Sequence, residues 1–401
     1  MMNDLSHDLA QDIAHRLHAY WDYTNFRSAC KSLRSAVPKK PATLPRVVPC
    51  LVHPCNETHC NFFSLFGETY KLELPEVQTQ LCKGSSQGWL ITVERGPCIR
   101  LINPLTNTRM QLPPIHAFPD VLEYNHESLN REYLISTVYR GGIHRNVVTN
   151  STWVRKYFIR RLVLSSSPSE ENCMAMALYS ENSNKVAFCK VGDKEWRIVE
   201  DGGWSCLHNI MHYDGKLYIV DQYGRVFVVQ DDELKSASPK ARMLVDSPTH
   251  QFVSNCRLYL VVIKGELLMV DRKRDWKTRK NYYKTTGFRI FKLNLSSISH
   301  PKWCKVTSLG DNMLFLGQND PFCVSTRDVS PPWKGNCIYY TDDYIDGHFD
   351  RPEKVSAIAG ADLGVFDLKT RITRPLPLPS GIKSNRQRGI WPLPIWVQPN
   401  N

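Results

Sequence analysis

Two different periods of apolar residues divide the chain. Near the N-terminus, Leu9, Ile13 and Leu17 recur every four residues behind Ser6, which is suited to cap a helix, with Asp8 in the first turn. A second helix is expected from Asp22, with Phe26, Cys30, Leu33 and Val37 as its apolar stripe and Arg27, Lys31 and Arg34 on its other sides. Pro38, Pro41, Pro45 and Pro49 then end any helix and predict an extended linker over residues 38–49. Two short amphipathic helices cannot bury both stripes against each other. Either the stripe docks on the rest of the chain, or another protein covers it.

From residue 50 the period becomes that of strands. Short apolar or alternating runs such as Trp89–Val93, Ile99–Ile102, Leu217–Val220, Val226–Val229, Leu258–Ile263 and Leu267–Val270 are separated by Gly, Asp, Asn and Pro turns. No long helical pattern lies between them, so a βαβ fold is excluded. Lys216–Val229 (KLYIVDQYGRVFVV) aligns without gaps on Arg257–Val270 (RLYLVVIKGELLMV), 41 residues on, with Gly224 over Gly265. Asn103–Pro114 (NPLTNTRMQLPP) is echoed by Asp367–Pro379 (DLKTRITRPLPLP), an offset of 264, or roughly six steps of a 44-residue repeat. Four-stranded propeller blades have about that length, so residues 50–401 are expected to form a β-propeller of about six to eight four-stranded blades. The chain is mainly β, with a small helical module in front.

Composition narrows the class without naming a chemistry. The formal charge is +12, with 42% hydrophobic and 22% charged residues, as in ordinary globular chains. The longest apolar stretch, Leu258–Val270, is broken by Lys264 and Glu266, so no membrane helix is expected. The N-terminus carries carboxylates and lacks the apolar core of a signal peptide, and the 13 cysteines are spread singly. They read as reduced, mostly buried thiols of an intracellular protein in the cytoplasm and/or nucleus.

Four features invite a functional reading. Gly84-Ser85-Ser86-Gln87-Gly88 fits G-x-S-x-G, but a strand rather than a helix follows, so a turn is expected. Cys50, Cys55 and Cys60 with His53 and His59 form the densest ligand cluster; their spacing is at the wide limit for zinc, and a blade strand with a solvated turn is preferred. Arg272–Lys280 holds six basic residues in nine and reads as a solvated loop joining two strands; specific nucleic-acid recognition is not supported. The acid pairs Asp231-Asp232 and Asp342-Asp343 read as turn formers. No catalytic residue, metal or cofactor is expected.

Several segments resemble a known family. Leu5, Asp8-Leu9, Ile13, Arg16-Leu17, Asp22 and the run Phe26-Arg27-Ser28-Ala29-Cys30-Lys31-Ser32-Leu33-Arg34 resemble an F-box. Ser308–Gly317 (SLGDNMLFLG), Gly335–Asp343 (GNCIYYTDD) and Gly364–Leu368 (GVFDL) are similar to plant F-box proteins with a C-terminal KIB-type β-propeller. The resemblance implies an F-box-like module over residues 3–37 and a propeller over 50–401. It implies a substrate receptor of an SCF-type (Skp–cullin–F-box) ubiquitin ligase, without a catalytic site of its own. Leu5, Leu9, Ile13, Phe26, Cys30 and Leu33 would contact the Skp adaptor, and through it the cullin, while the propeller would hold a target protein. This chain departs from the family pattern at Ser6, where proline is usual, and at Leu33, where tryptophan is usual. A propeller that sequesters its partner without a ligase, and an enzyme with a site in the central channel, are the alternatives.

Overall fold

The computed structural model describes residues 5–17, 20–38, 49–54, 60–64, 69–72, 81–94, 96–138, 143–180, 185–249, 256–277, 282–295, 301–329, 333–343, 362–377 and 394–398. Most of the expected linker and Cys55 and His59 of the ligand cluster lie outside these residues.

Three helices, not two, open the chain: α1 (His7–Arg16), α2 (Tyr20–Ser28) and α3 (Lys31–Ala36). Ser6 caps α1 as expected, its side chain accepting from the Leu9 N–H at 3.3 Å. The expected second helix breaks at Ala29–Cys30. Asp22 lies in the first turn of α2, and the Cys30 sulfur caps α3 by accepting from the Leu33 N–H. The break lets α3 fold back, so Ala10, Ala14, Tyr23, Leu33, Ala36 and Val37 form a small core of their own.

Among the described residues the strands form seven sheets, six of which surround one axis. The first blade joins both ends of the chain: β28 (Ile395–Val397), β1 (Cys50–Pro54), β2 (Cys60–Ser64) and β3 (Thr69–Leu72), in that order. The second is β4 (Leu81–Ser86), β5 (Trp89–Val93), β6 (Ile99–Ile102) and β7 (Arg109–Leu112). The third runs from β11 (Ile159–Leu164) through β12 (Met174–Tyr179) and β13 (Lys185–Lys190) to β14 (Arg197–Val199). The fourth comprises β15 (Leu207–Tyr213), β16 (Lys216–Asp221), β17 (Val226–Gln230) and β18 (Arg242–Val245). The fifth comprises β19 (Cys256–Ile263), β20 (Glu266–Lys277), β21 (Tyr282–Asn294) and β22 (Lys302–Val306).

The sixth blade has five strands. β24 (Phe322–Ser325) is innermost, followed by β23 (Asn312–Leu316), β25 (Cys337–Tyr340), β26 (Gly364–Asp367) and β27 (Ile372–Arg374). Here β23 pairs with β25 in parallel and with β24 antiparallel, so the innermost strand is entered by a tight return. The seventh sheet, β8 (Val121–Tyr124), β9 (Tyr133–Val138) and β10 (His144–Thr149), has its own three-strand meander. Its Tyr133 and Ile135 wedge into the apolar seam between blades two and three.

The core is distributed over the blade interfaces. Five further clusters each join one blade to the next: Val163 and Met176 with Ile210 and Leu217, Val220 with Leu258, Ile290 with Leu314, Phe315 with Trp396, and Val52 with Leu90. Six such seams close a ring of six blades, at the lower end of the expected range.

Turn chemistry sets the blade pattern. Gln87-Gly88, Asp214-Gly215 and Lys264-Gly265 all have positive φ at both residues, the two-residue turn whose twist suits a hairpin. Each joins an innermost strand to the second strand of its blade, in blades two, four and five. The echo between Asn103 and Asp367 is a true equivalence. In both, the side-chain Oδ1 accepts from the N–H groups two and three residues on, and a left-handed residue, Asn107 or Arg371, follows. They occupy the last hairpins of blades two and six, four blades apart rather than six, because the seventh sheet and the long fifth blade stretch the spacing. The 41-residue match is one strand out of step: Lys216–Val229 covers the second and third strands of its blade, Arg257–Val270 the first and second.

Gly84 kinks β4 at a register shift with φ +149°, and a Cβ placed there would lie 2.4 Å from the Gln318 carbonyl oxygen of blade six. Gly84→Ala is expected to destabilise the propeller by about 2–4 kcal/mol, by strain and steric clash. Gly96→Ala, where the added methyl meets nothing, is expected to stay within about 0.5 kcal/mol of the parent in the same thermal or urea melt.

Candidate functional site

The helical module presents a face that its own core does not use. α1 buries Ala10 and Ala14 and leaves Leu9 50% exposed, with Ile13 half-buried beside it. Leu5, Phe26 and Cys30 are half-buried against the small core. Leu33 is 6% exposed and packs inside the module, so of the six expected adaptor contacts it is the most deeply buried. The structure thus brings Leu5, Leu9, Ile13, Phe26, Cys30 and Leu33 onto one small unit but sorts them by burial. Small residues at 10 and 14 face inward because α2 and α3 approach closely there.

The propeller axis is the second candidate. Buried polar side chains from the innermost strands tie blades together, neighbouring and opposite. Arg161 on β11 reaches the sixth blade, donating to the carbonyls of Asn319 at 2.6 Å and Gly317 at 3.1 Å. Ser85 on β4 donates to the Trp396 carbonyl of β28, and Asn209 on β15 accepts from the Leu260 N–H of β19. Lys83, Arg160, His208 and Arg257 lie where the innermost strands begin. Burial together with Arg160 and Arg155 pushes the Lys83 ammonium well below its ordinary pKa, and its Nζ donates to the Lys156 carbonyl. Burial, Arg257 and Arg274 act likewise on His208, which is therefore neutral.

The basic run beginning at Arg272 is not a loop. Glu266–Lys277 is one twelve-residue strand, and Arg272 within it is fully buried. Its guanidinium donates to Asp362 at 2.9 Å, Thr285 at 2.7 Å and the Thr341 carbonyl at 2.8 Å, and lies over the Tyr340 ring. Asp343 is not a turn former either. It is 5% exposed, accepts from Tyr259 at 2.6 Å and lies 3.4–3.6 Å from Arg257, Arg272 and Arg274. Burial alone would raise its pKa, but the three guanidiniums outweigh it and hold the carboxyl well below the usual range. Sequence reading missed this centre because Leu267–Arg272 are all buried within the ring, and no local signal distinguishes a buried arginine in a strand from a solvated one. The partner carboxylates lie some seventy and ninety residues further on.

The G-x-S-x-G residues form a hairpin, as expected. Ser85 and Ser86 end β4, and Gln87-Gly88 is the turn. Ser86 Oγ donates to Asp320 at 2.9 Å and accepts from the Leu164 N–H, so its hydroxyl is engaged structurally. Cys50 is buried on β1, and among the described residues no cluster of ligands suits a metal ion. No helix among them is long and apolar enough to cross a membrane.

A ring of blades closed by β28, carrying a helical module in front, defines a β-propeller protein. A family profile described as "KIB1-4 beta-propeller" matches residues 62–367, and the chain belongs to that family. Among curated proteins it is similar to F-box protein SKIP23 of Arabidopsis thaliana, with 26% identity over 98% of this chain and 94% of the relative. F-box protein At2g17036 of the same plant is 23% identical over the same shares. Of solved structures, an ancestral GH74 enzyme aligns over 75% of this chain and 34% of its own, at a TM-score of 0.30 and 9% identity, too distant to bear on function.

Asp343→Asn and Asp362→Asn are each expected to destabilise the fold by about 3–5 kcal/mol, by leaving buried guanidiniums without their counter-charge. Because the Asp343 carboxyl is depressed in the folded state, its contribution is present above the unfolded value of about 4 and is lost only as pH falls through its folded value. Acid titration of the parent against Asp343→Asn, followed by near-ultraviolet circular dichroism, measures that difference.

Proposed function

We propose that this protein is the substrate receptor of an SCF-type ubiquitin ligase, docking on a Skp adaptor through its helical module and, through it, on a cullin. The propeller holds the target, and a separate conjugating enzyme supplies the chemistry. The observation that carries the reading is the outward leucine of α1: Leu9 is half exposed on a helix whose inward positions are alanines. Together with half-buried Leu5, Ile13, Phe26 and Cys30 it offers an apolar helix face of the kind that docks in a groove. The alignment with named F-box proteins spans 98% of this chain, so it includes the helices as well as the propeller. Leu5, Ile13, Phe26 and Cys30 complete the docking face around Leu9, while Leu33 supports it from inside. The receptor role is one of proximity: a tethered target lysine meets the charged carrier at high effective concentration.

Co-expression of the full chain with a plant Skp adaptor, followed by pull-down and size exclusion, tests the reading. A stable complex is expected with the parent. Leu9→Ala combined with Ile13→Ala should weaken it more than tenfold without altering the melting of the propeller, since each buried aliphatic side chain contributes about 1.5–3 kcal/mol. Leu33→Ala should instead lower the helical content of the module. A well-folded chain that forms no complex would favour a stand-alone propeller binder.

A further inference from the structure

At the end of the axis where the innermost strands finish, the blades leave a cavity of about 210 Å³. It is smaller than the roughly 300–1,000 Å³ usual for drug-sized ligands, and suits one long side chain. Its walls come from five of the six blades: Met211 from β15, Val262 from β19, Pro321 and Phe322 at the start of β24, Ser86 from β4 and Gln398 after β28. Three of these walls are apolar blade residues, and the hairpin turn Gln87-Gly88 stands at the rim.

One carboxylate is set into this wall. Asp320 Oδ2 accepts from Ser86 at 2.9 Å, while Oδ1 is shielded from water and has no hydrogen-bond partner. Burial raises its pKa to about 6, opposed by the Ser86 bond and the Arg161 charge. Its Oδ1 is thus an under-satisfied buried acceptor, a costly arrangement unless a donor reaches it. His212, also in the wall, does not fill that role, because its Nε2 is 2.9 Å from Asp231. A ligand complementary to this cavity carries an aliphatic stem to lie along Met211, Val262 and Phe322, and a cationic donor for Asp320.

We propose that this cavity receives a lysine or arginine side chain of the target protein, inserted along the propeller axis from the face that carries the β4–β5 hairpin turn. This deepens the receptor reading and rests on it for the identity of the occupant as a target, but its test does not involve the adaptor. The stem supplies burial and the head supplies specificity, since an uncharged side chain of the same length would leave the Asp320 carboxylate unpaired.

The test uses the full chain, immobilised, and a phage-displayed random twelve-residue peptide library. Peptides recovered are expected to share one lysine or arginine. In synthetic copies, replacing that residue by norleucine should weaken binding at least tenfold by fluorescence anisotropy. Asp320→Asn should cause a similar loss, and so should Gln398→Lys, which sets a like charge at the mouth and keeps the test available if Asp320→Asn lowers the melting temperature. Failure to enrich any peptide, enrichment without a shared basic residue, or binding indifferent to both variants would overturn the proposal. Loss of adaptor capture with peptide binding intact would overturn the ligase reading alone.

Discussion

Everything in the propeller depends on one strand pairing. Cys50, Leu51 and Val52 of β1 pair antiparallel with Val397, Trp396 and Ile395 of β28, so a piece of chain from the far end becomes the innermost strand of the first blade. Without it, β1 would present an open edge, and Ser85 would lose the Trp396 carbonyl that ties blade two to blade one. Trp396 also stands against Phe315 of the sixth blade, edge to face at 5.1 Å. A few residues therefore join three blades, and both the apolar seams and the polar axis assume a closed ring.

The axis solves the problem that closure creates. Innermost strands crowd together with too little room for large apolar side chains on every blade, and their backbone groups near the axis cannot all reach water. The chain fills that space with side chains that bond across it: Arg161 to blade six, Ser86 to both Leu164 and Asp320, Gln318 to the Asp343 carbonyl. Arg272 does the same between blades five and six, pinning the stretch around Asp362 to the long hairpin of β20 and β21. Such networks are costly when incomplete and specific when satisfied. That is how one fold tolerates the reversed innermost strand of blade six, whose turn carries Gly317, Asn319 and Asp320 into the axis.

Much of this was legible in the sequence. Strand periodicity after residue 50, the cap at Ser6 and the glycine turns follow from local rules, and the family resemblance carried over nearly the whole chain. The equivalence of Asn103 with Asp367 was legible because an Asx-type turn is a local device. Where the reading slipped, the deciding partner was distant. Arg272 and Asp343 read as surface residues because charge is usually solvated, and only the ring brings them together. The second helix read as continuous because an apolar stripe every three or four residues does not show that Cys30 will cap a new helix. Two hairpins of similar composition aligned at 41 residues although they hold different places in their blades, since pattern records strand, turn and strand but not distance from the axis. In the helical module, the apolar positions were legible and their burial was not: which of Leu9 and Leu33 faces inward is decided by the fold of α3 onto α1.

The closing strand also sets the order in which this protein can come into being. The helical module, complete by Val37, leaves the ribosome first and has all it needs for its own small core. The first blade leaves next, but its central place at the axis stays vacant until residues 395–397 emerge, so the ring cannot close before they do. Blades two to five can form in sequence meanwhile, while β1 keeps an unpaired edge exposed to other nascent chains. Contacts between the two ends of a chain are slow to form, which makes ring closure the last and slowest step of folding. A nascent chain of this kind would carry a finished helical module well before it carried a finished ring.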